Sequence, residues 1–175
     1  DETWKINLTR SFIALTSYKY HQWEEFLAKL QKPFEAINEI YSPTKFSRVG
    51  LRYINVINRS ELGFSDIDWS KLIKPHVLGI LSSDKIIDHV KNFQNMYEIQ
   101  LSNNTSFVRM RSKYVKPINT DKEKCYQIDN DFIHEKNMNA EDVLVILDYL
   151  RNRSSRCFRW CIEERLHEAL GPEEL

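Results

Sequence analysis

Apolar side chains recur at two different spacings along the chain, and each spacing predicts a different element. Residues 4–14 alternate between apolar and polar, which predicts one half-buried strand near the start of the sequence. Between Trp23 and Tyr41 the apolar residues lie three and four positions apart, which predicts an amphipathic helix. Pro33 falls inside this stretch, so the helix is expected to kink there or to begin a second segment.

The middle of the chain is mostly strand-like. Residues 45–58 are rich in Val, Ile and Tyr and predict a second strand, and a short helix is expected to end near Pro75. Asn103 and Asn104 suit a tight turn between two later strands, and residues 117–121 are expected to connect the second of these to a third. The three strands of this meander are predicted at 88–101, 105–116 and 123–134.

A second long helix closes the sequence. Asn139 can cap it, and an apolar stripe runs from Val143 to Leu170 before Gly171 ends it. The resulting order, β-α-β-(α)-β-β-β-α, predicts an α+β fold: a mainly antiparallel sheet with two long helices packed on one face. No linker or repeat interrupts the chain, so residues 1–175 are expected to form one domain. Because the sequence begins without Met, directly before a strand-like pattern, we expect it to be the C-terminal part of a longer protein.

Composition and charge narrow the classes of function. Lys and Arg total 25, as do Asp and Glu, so the formal net charge is zero and argues against a nucleic-acid coat. The apolar runs fall well short of the roughly 18 residues of a membrane span. Three cysteines without a secretory leader favour reduced thiols in the cytoplasm, and Cys157 and Cys161 fall on the apolar stripe, which favours core packing over zinc binding. Phosphate-loop, dinucleotide, nucleophile-elbow and zinc-protease motifs do not occur, so neither a catalytic residue, a metal nor a cofactor is predicted.

Charged side chains follow the predicted strands on one side. Arg48 and Arg52 lie at alternate positions on either side of Gly50. A basic triplet and an acidic pair also lie at alternate positions, each along one of two later strands. One interpretation is an anion-binding face, on which the acidic pair binds a divalent metal or acts as a base. Separately, His134 is a candidate acid–base partner of Asp129 or Asp131, although a scattered His is more often a surface or structural residue. The alternative, which we favour, is a solvated face joined by cross-strand ion pairs. The later-strand residues concerned are Arg109, Arg111, Lys113, Asp129 and Asp131.

The block from Arg48 to Asn55 reads R-V-G-L-R-Y-I-N. This R-x-G-L-R-Y-x-N pattern, preceded by a helix that contains Trp23 and Phe26, resembles the central signature of a sporadically distributed prokaryotic protein family without an assigned activity. The resemblance implies a bacterial or archaeal protein with an accessory role, in defence or toxin neutralisation, and it supplies no catalytic residues. Members of the family often carry a His in the first half of the last helix, where this chain has Asp148 and Tyr149.

Two hypotheses of function follow. The first is a non-enzymatic, soluble binding or regulatory protein that acts through a protein partner or as a homo-oligomer. It depends on the missing catalytic motifs and on the many aromatic residues (9 Phe, 8 Tyr and 4 Trp), which favour protein contacts. The second is an enzyme or sensor that binds a phosphorylated small molecule or nucleotide on the Arg/Lys-rich sheet face. A third site, the basic run Arg151–Arg159, is disfavoured for nucleic acid because acidic residues follow it at helical spacing.

Overall fold

The computed structural model describes residues 3–116 and 123–171. The fold is α+β, as predicted. One domain is expected from the sequence, and within it the contacts define two compact units, Asp1–Phe46 and Ser47–Leu175. The predicted connection at 117–121 lies outside the described residues. None of the helices in the described ranges combines the length and the apolarity that crossing a bilayer requires.

The first unit is a hairpin followed by a helix. The predicted single strand is wrong: β1 (Trp4–Leu8) and β2 (Ile13–Ser17) pair as antiparallel strands. The turn between them is closed by Thr9, whose hydroxyl accepts hydrogen bonds from the backbone N–H groups of Ser11 and Phe12 at 3.3 and 3.2 Å. A short Ser/Thr turn of this kind leaves the apolar alternation nearly in phase, and for that reason the two strands resemble one in the sequence.

The helix of this unit, α1 (Trp23–Tyr41), continues through Pro33, and no second segment begins there. Its buried side chain Trp23 stacks on Phe26, with ring centroids 6.0 Å apart, and Phe26 also contacts Trp4 of the hairpin at 5.9 Å. The aromatic contacts therefore hold the start of the helix against the hairpin.

The second unit is built on a four-stranded sheet that consists of β3 (Val49–Ile57), β4 (Gln94–Gln100), β5 (Ser106–Val115) and β6 (Cys125–His134). All neighbouring strands are antiparallel, in the order β3-β6-β5-β4, so the predicted meander is confirmed. The turn between β4 and β5 forms as predicted, since Asn104 has a φ of 55° and Asn103 Oδ1 accepts the backbone N–H of Ser106 at 2.9 Å. The strand predicted from residue 88 begins later because Ile87–His89 forms a 3₁₀ turn.

One side of this sheet is covered by helical segments. The long helix α3 (Ala140–Cys161) contacts β3 and β6. The predicted helix to Leu170 is interrupted at Ile162, which is extended and pairs with Ile73 before α4 (Glu164–Ala169) begins. The remaining cover is a short helix α2 (Pro75–Leu78) and 3₁₀ turns at Trp69–Lys71 and Gly79–Ser82. The prediction of long helices on one face is thus confirmed for α3, while α1 belongs to the first unit.

The core of the second unit lies between the sheet and these helices. Along each strand, the side chains that point into this core alternate with side chains that point to the other side of the sheet, as a pleated strand requires. Tyr126 is fully buried, contacts the ring of Trp69 and donates its hydroxyl to the carbonyl of Val77 at 3.0 Å. Burial raises the pKa of Tyr126 above its ordinary value. Other fully buried members are Leu72, Leu78, Leu81, Ile128, Phe132, Leu150 and Leu166.

Candidate functional site

The side of the sheet opposite α3 carries the charged residues singled out in the sequence; we call it the charged face. The strand register places Arg52, Asp131, Arg109 and Glu98 in one row across β3, β6, β5 and β4. Asp129 and Arg111 are opposite each other in the next row, and Lys113 is opposite Gln127 in the row after that. Arg48 lies over Gly50, since a Cβ at that glycine would be 3.6 Å from Arg48 Nη2. The seven predicted residues therefore share one face of the sheet.

Asp129 is the best-enclosed charge on this face, with 3% of its surface exposed. Arg52 binds it with two parallel hydrogen bonds, Nε to Oδ1 at 2.7 Å and Nη2 to Oδ2 at 2.6 Å. Arg111 Nη1 is 3.5 Å from the same Oδ2. The hydrogen bond to Asp129 raises the pKa of Arg52 above its ordinary value. Guanidinium groups thus already bind the carboxylate oxygens that would otherwise coordinate a metal ion or accept a proton from a substrate.

Two of the other three cations on the charged face, Arg48 and Arg109, also have acidic neighbours. Arg48 is 3.8 Å from Asp131 and 3.9 Å from Glu135, and Arg109 Nε donates to Glu98 at 2.7 Å. Four arginines and Lys113 thus face four carboxylates, which leaves one net positive charge. This arrangement favours a solvated lattice of ion pairs over a strong anion site. Binding of an anion here stays a prediction, and in the described part of the chain no three His, Cys, Asp or Glu side chains form a group that could hold a metal ion.

His134 does not join these carboxylates, because its side chain points to the opposite side of the sheet. There its Nδ1 is 2.8 Å from the hydroxyl of Ser106, and Asn103 Nδ2 donates to the same hydroxyl at 2.8 Å. His134 and Ser106 are both buried, and desolvation lowers the pKa of His134. The expected acid–base pair with Asp129 or Asp131 is therefore wrong, and this network fastens the ends of β5 and β6.

One of the two outer edges of the sheet, the edge along β4, was not singled out in the sequence. Leu101 N donates to Ser106 O at 2.8 Å and Tyr114 N donates to Phe93 O at 3.3 Å, so residues 93 and 101 are bonded to β5. Since hydrogen-bonding direction alternates along a strand, four residues between them direct their backbone N–H and C=O groups away from β5. These four residues, which define the β4 edge, are Gln94, Met96, Glu98 and Gln100, and all of them are exposed.

A cleft of about 410 Å³ adjoins the β4 edge. Its walls include Tyr97 and Ile99 from β4, Met110 from β5, and the rings of His76 and Trp160, which contact each other at a tilt of 31° with their centroids 3.9 Å apart. Trp160 is half exposed although it belongs to α3. The cleft is therefore an apolar depression directly beside an open strand edge, which we call the β4 cleft.

The β4 edge left only a weak signal in the sequence. Met96, Tyr97 and Ile99 place apolar side chains on both faces of the strand, whereas a strand with one solvated face alternates more cleanly. The position of β4 at the edge depends on the pairing of β3 with β6, whose paired residues lie 69 to 85 positions apart in the sequence.

We compared the chain with protein-family models, with curated proteins and with solved structures, and no match was found. The likeness of the block from Arg48 to Asn55 to a prokaryotic family therefore stays a prediction. The assignment of function depends on the geometry of the second unit alone.

Proposed function

We propose that this chain is a non-enzymatic binding protein that takes up an extended protein segment as an additional strand along β4. The observation that carries the proposal is the β4 edge, where four residues offer four N–H and four C=O groups in the spacing of a strand. In the described part of the chain no strand lies beyond β4. An extended partner segment would satisfy these groups, as strand-addition complexes do.

The composition of β4 supports this use of the edge. Proteins commonly protect outer strands with lysine, proline or a bulge, and β4 contains neither lysine nor proline. Its one charge, Glu98, is bound by Arg109 of the adjacent strand. Met96 and Tyr97 remain 59% and 45% exposed, which leaves apolar surface beside the unpaired backbone groups.

The β4 cleft indicates the chemistry of the segment. An added strand would place alternate side chains on the two faces of the sheet, so those on the α3 side would lie over the cleft. The walls formed by Tyr97, Ile99 and Trp160 suit a large apolar or aromatic side chain. We therefore expect a segment with apolar residues at every second position. The accessory role that the resemblance implies and the cytoplasmic location that the cysteines favour are part of this proposal.

Selection of displayed peptides on the full chain tests strand addition. We expect enrichment of extended sequences with alternating apolar residues, and we expect Met96→Pro to abolish their binding. Proline at this position removes an N–H that points away from β5, so the internal ladder stays intact. Met96→Thr keeps the N–H and is the matched control. Peptides that bind Met96→Pro as tightly as the wild type would contradict the proposal.

The second candidate function is an enzyme or sensor for a phosphorylated small molecule. One observation favours it: the side chains of Arg48 and Arg52 are about half exposed, so each retains donors that face solvent. A thermal-shift screen with nucleotides, with and without Mg²⁺, tests this alternative. Stabilisation of the wild type that is lost in Arg48→Gln would support it, and an unchanged midpoint with every compound would exclude it.

A further inference from the structure

The partner that best fits the β4 edge is another β4 edge. We infer that the segment added to β4 is β4 of a second copy of this chain, paired antiparallel about a two-fold axis at Tyr97; this inference rests on the proposed function. The two sheets of four strands would then form one continuous antiparallel sheet.

The backbone of β4 selects this register. A two-fold axis at Tyr97 places Gln94 opposite Gln100 of the second copy and Met96 opposite Glu98 of the second copy. All four outward residues of each strand are then paired, which gives eight hydrogen bonds. An axis at Met96 leaves Gln100 without an opposite residue inside the strand, so only six bonds form.

The charges agree with the same choice. An axis at Glu98 would bring two Glu98 carboxylates directly opposite each other, which destabilises a strand pair. With the axis at Tyr97, each Glu98 is opposite Met96 and keeps its hydrogen bond from Arg109 of its own chain. The formal net charge of zero adds no long-range repulsion between two copies.

The side chains on the α3 side add apolar contact. Tyr97 would be opposite Tyr97 of the second copy in a non-hydrogen-bonded pair, the kind in which side chains approach most closely. The Gly79–Ser82 turn lies beside β4, because a Cβ at Gly79 would be 3.0 Å from Asn95 Nδ2. Ile80 of this turn and Trp160 are 62% and 51% exposed, so they extend the apolar surface next to the strand.

The size of this surface sets the strength of the dimer. A stable interface usually covers about 1,200–2,000 Å², and a seven-residue strand with a few flanking side chains lies at or below the low end. We therefore expect a reversible dimer whose population depends on protein concentration, rather than a permanent one.

Sedimentation velocity on the full chain tests the assembly. We expect the wild type and Met96→Thr to shift from monomer to dimer as concentration rises, and Met96→Pro to stay monomeric. A wild type that is monomeric at every concentration, or a dimer that survives Met96→Pro, would overturn the inference. Binding of a selected peptide that still depends on Met96 would in that case leave strand addition standing, so the two failures can be told apart.

Cross-linking tests the register without relying on the proline variant. In a Cys157→Ser background, Tyr97→Cys should form an intermolecular disulfide under mild oxidation, because directly opposite Cα atoms in such a pair are about 4.5 Å apart. Met96→Cys should cross-link much less, since its opposite residue is Glu98. Equal cross-linking of the two variants, or faster cross-linking of Met96→Cys, would overturn the register centred on Tyr97.

Discussion

Replacing Asp129 by Asn removes the negative charge around which two arginines are arranged on the charged face. The side chain of Asp129 is 4% exposed and accepts two short hydrogen bonds from Arg52, with Arg111 3.5 Å away. Loss of a hydrogen bond to a charged group costs about 1.5–3 kcal/mol. Removing one partner of a fully buried pair costs about 3–5 kcal/mol. Because Arg52 is half exposed and can be rehydrated, we expect a loss of about 2 kcal/mol in the free energy of unfolding.

Asp131 provides a matched control two residues away on the same strand and the same face. Its nearest cationic atom is 3.8 Å away in Arg48, beyond hydrogen-bond distance, so Asp131→Asn should cost less than about 1 kcal/mol. Urea denaturation followed by circular dichroism separates the two variants. With a slope of about 2 kcal/mol per M, Asp129→Asn should lower the midpoint by about 1 M. Equal midpoints for the two variants would refute the idea that Asp129 organises this face.

The same variant bears on anion binding. Asp129→Asn frees the guanidinium groups of Arg52 and Arg111 for another anion. Inorganic phosphate should therefore raise the melting temperature of Asp129→Asn more than that of the wild type. A wild type that responds to phosphate as strongly as the variant would indicate that the arginines are already available, and would favour the sensor hypothesis.

Three further predictions concern the core of the second unit. Leu150→Ala should cost about 2–5 kcal/mol in urea denaturation because the side chain is fully buried, whereas Val145→Ala on the exposed side of the same helix should change stability by less than about 0.5 kcal/mol. A hydrogen bond from Cys161 lowers the pKa of Cys157. In the native protein an alkylating reagent at neutral pH should therefore modify Cys157 well before the buried Cys161. Mass mapping that shows the reverse order of modification would contradict the packing of these two side chains. Burial lowers the pKa of His134 below its ordinary 6.5, so the unfolded state binds the proton more readily than the folded state. The free energy of unfolding should therefore fall as the pH drops below about 6.5 and level off below the lowered pKa of His134. In His134→Asn the free energy of unfolding should vary less across this pH range.

The local pattern determined much of the fold, because it records which side chains face the core. Alternation located β5 and β6 to within two residues at each end, and it placed Arg109 and Arg111 on the same face of β5 without any knowledge of the strand pairing. Strand alternation is a property of each strand by itself, so a correct face needs no knowledge of neighbours. The turn at Asn103 and Asn104 was predicted for the same reason, since its conformation depends on those two residues.

The tertiary structure determined the contacts between segments that are distant in the sequence. The last helix breaks at Ile162 because Lys74 N donates to Cys161 O at 3.0 Å and Glu163 N donates to Leu72 O at 2.9 Å. No glycine or proline marks this point in the sequence, so only the contact with the segment around Ile73 reveals it. A helix whose terminal backbone groups bond to another segment ends for reasons outside its own sequence.

For the charged face and the β4 edge, too, the sequence determines one part of the site and the tertiary structure determines the rest. Alternation within each strand groups arginines on one face of β5 and carboxylates on one face of β6, but only the strand order brings Arg52 and Arg111 to Asp129 as ion pairs. Likewise the sequence predicts a strand that includes β4, and the pairing of β3 with β6 leaves β4 at one edge of the sheet. Side-chain alternation is local and can be read residue by residue, whereas strand order depends on which distant segments pair, a choice fixed by the free energy of the whole core.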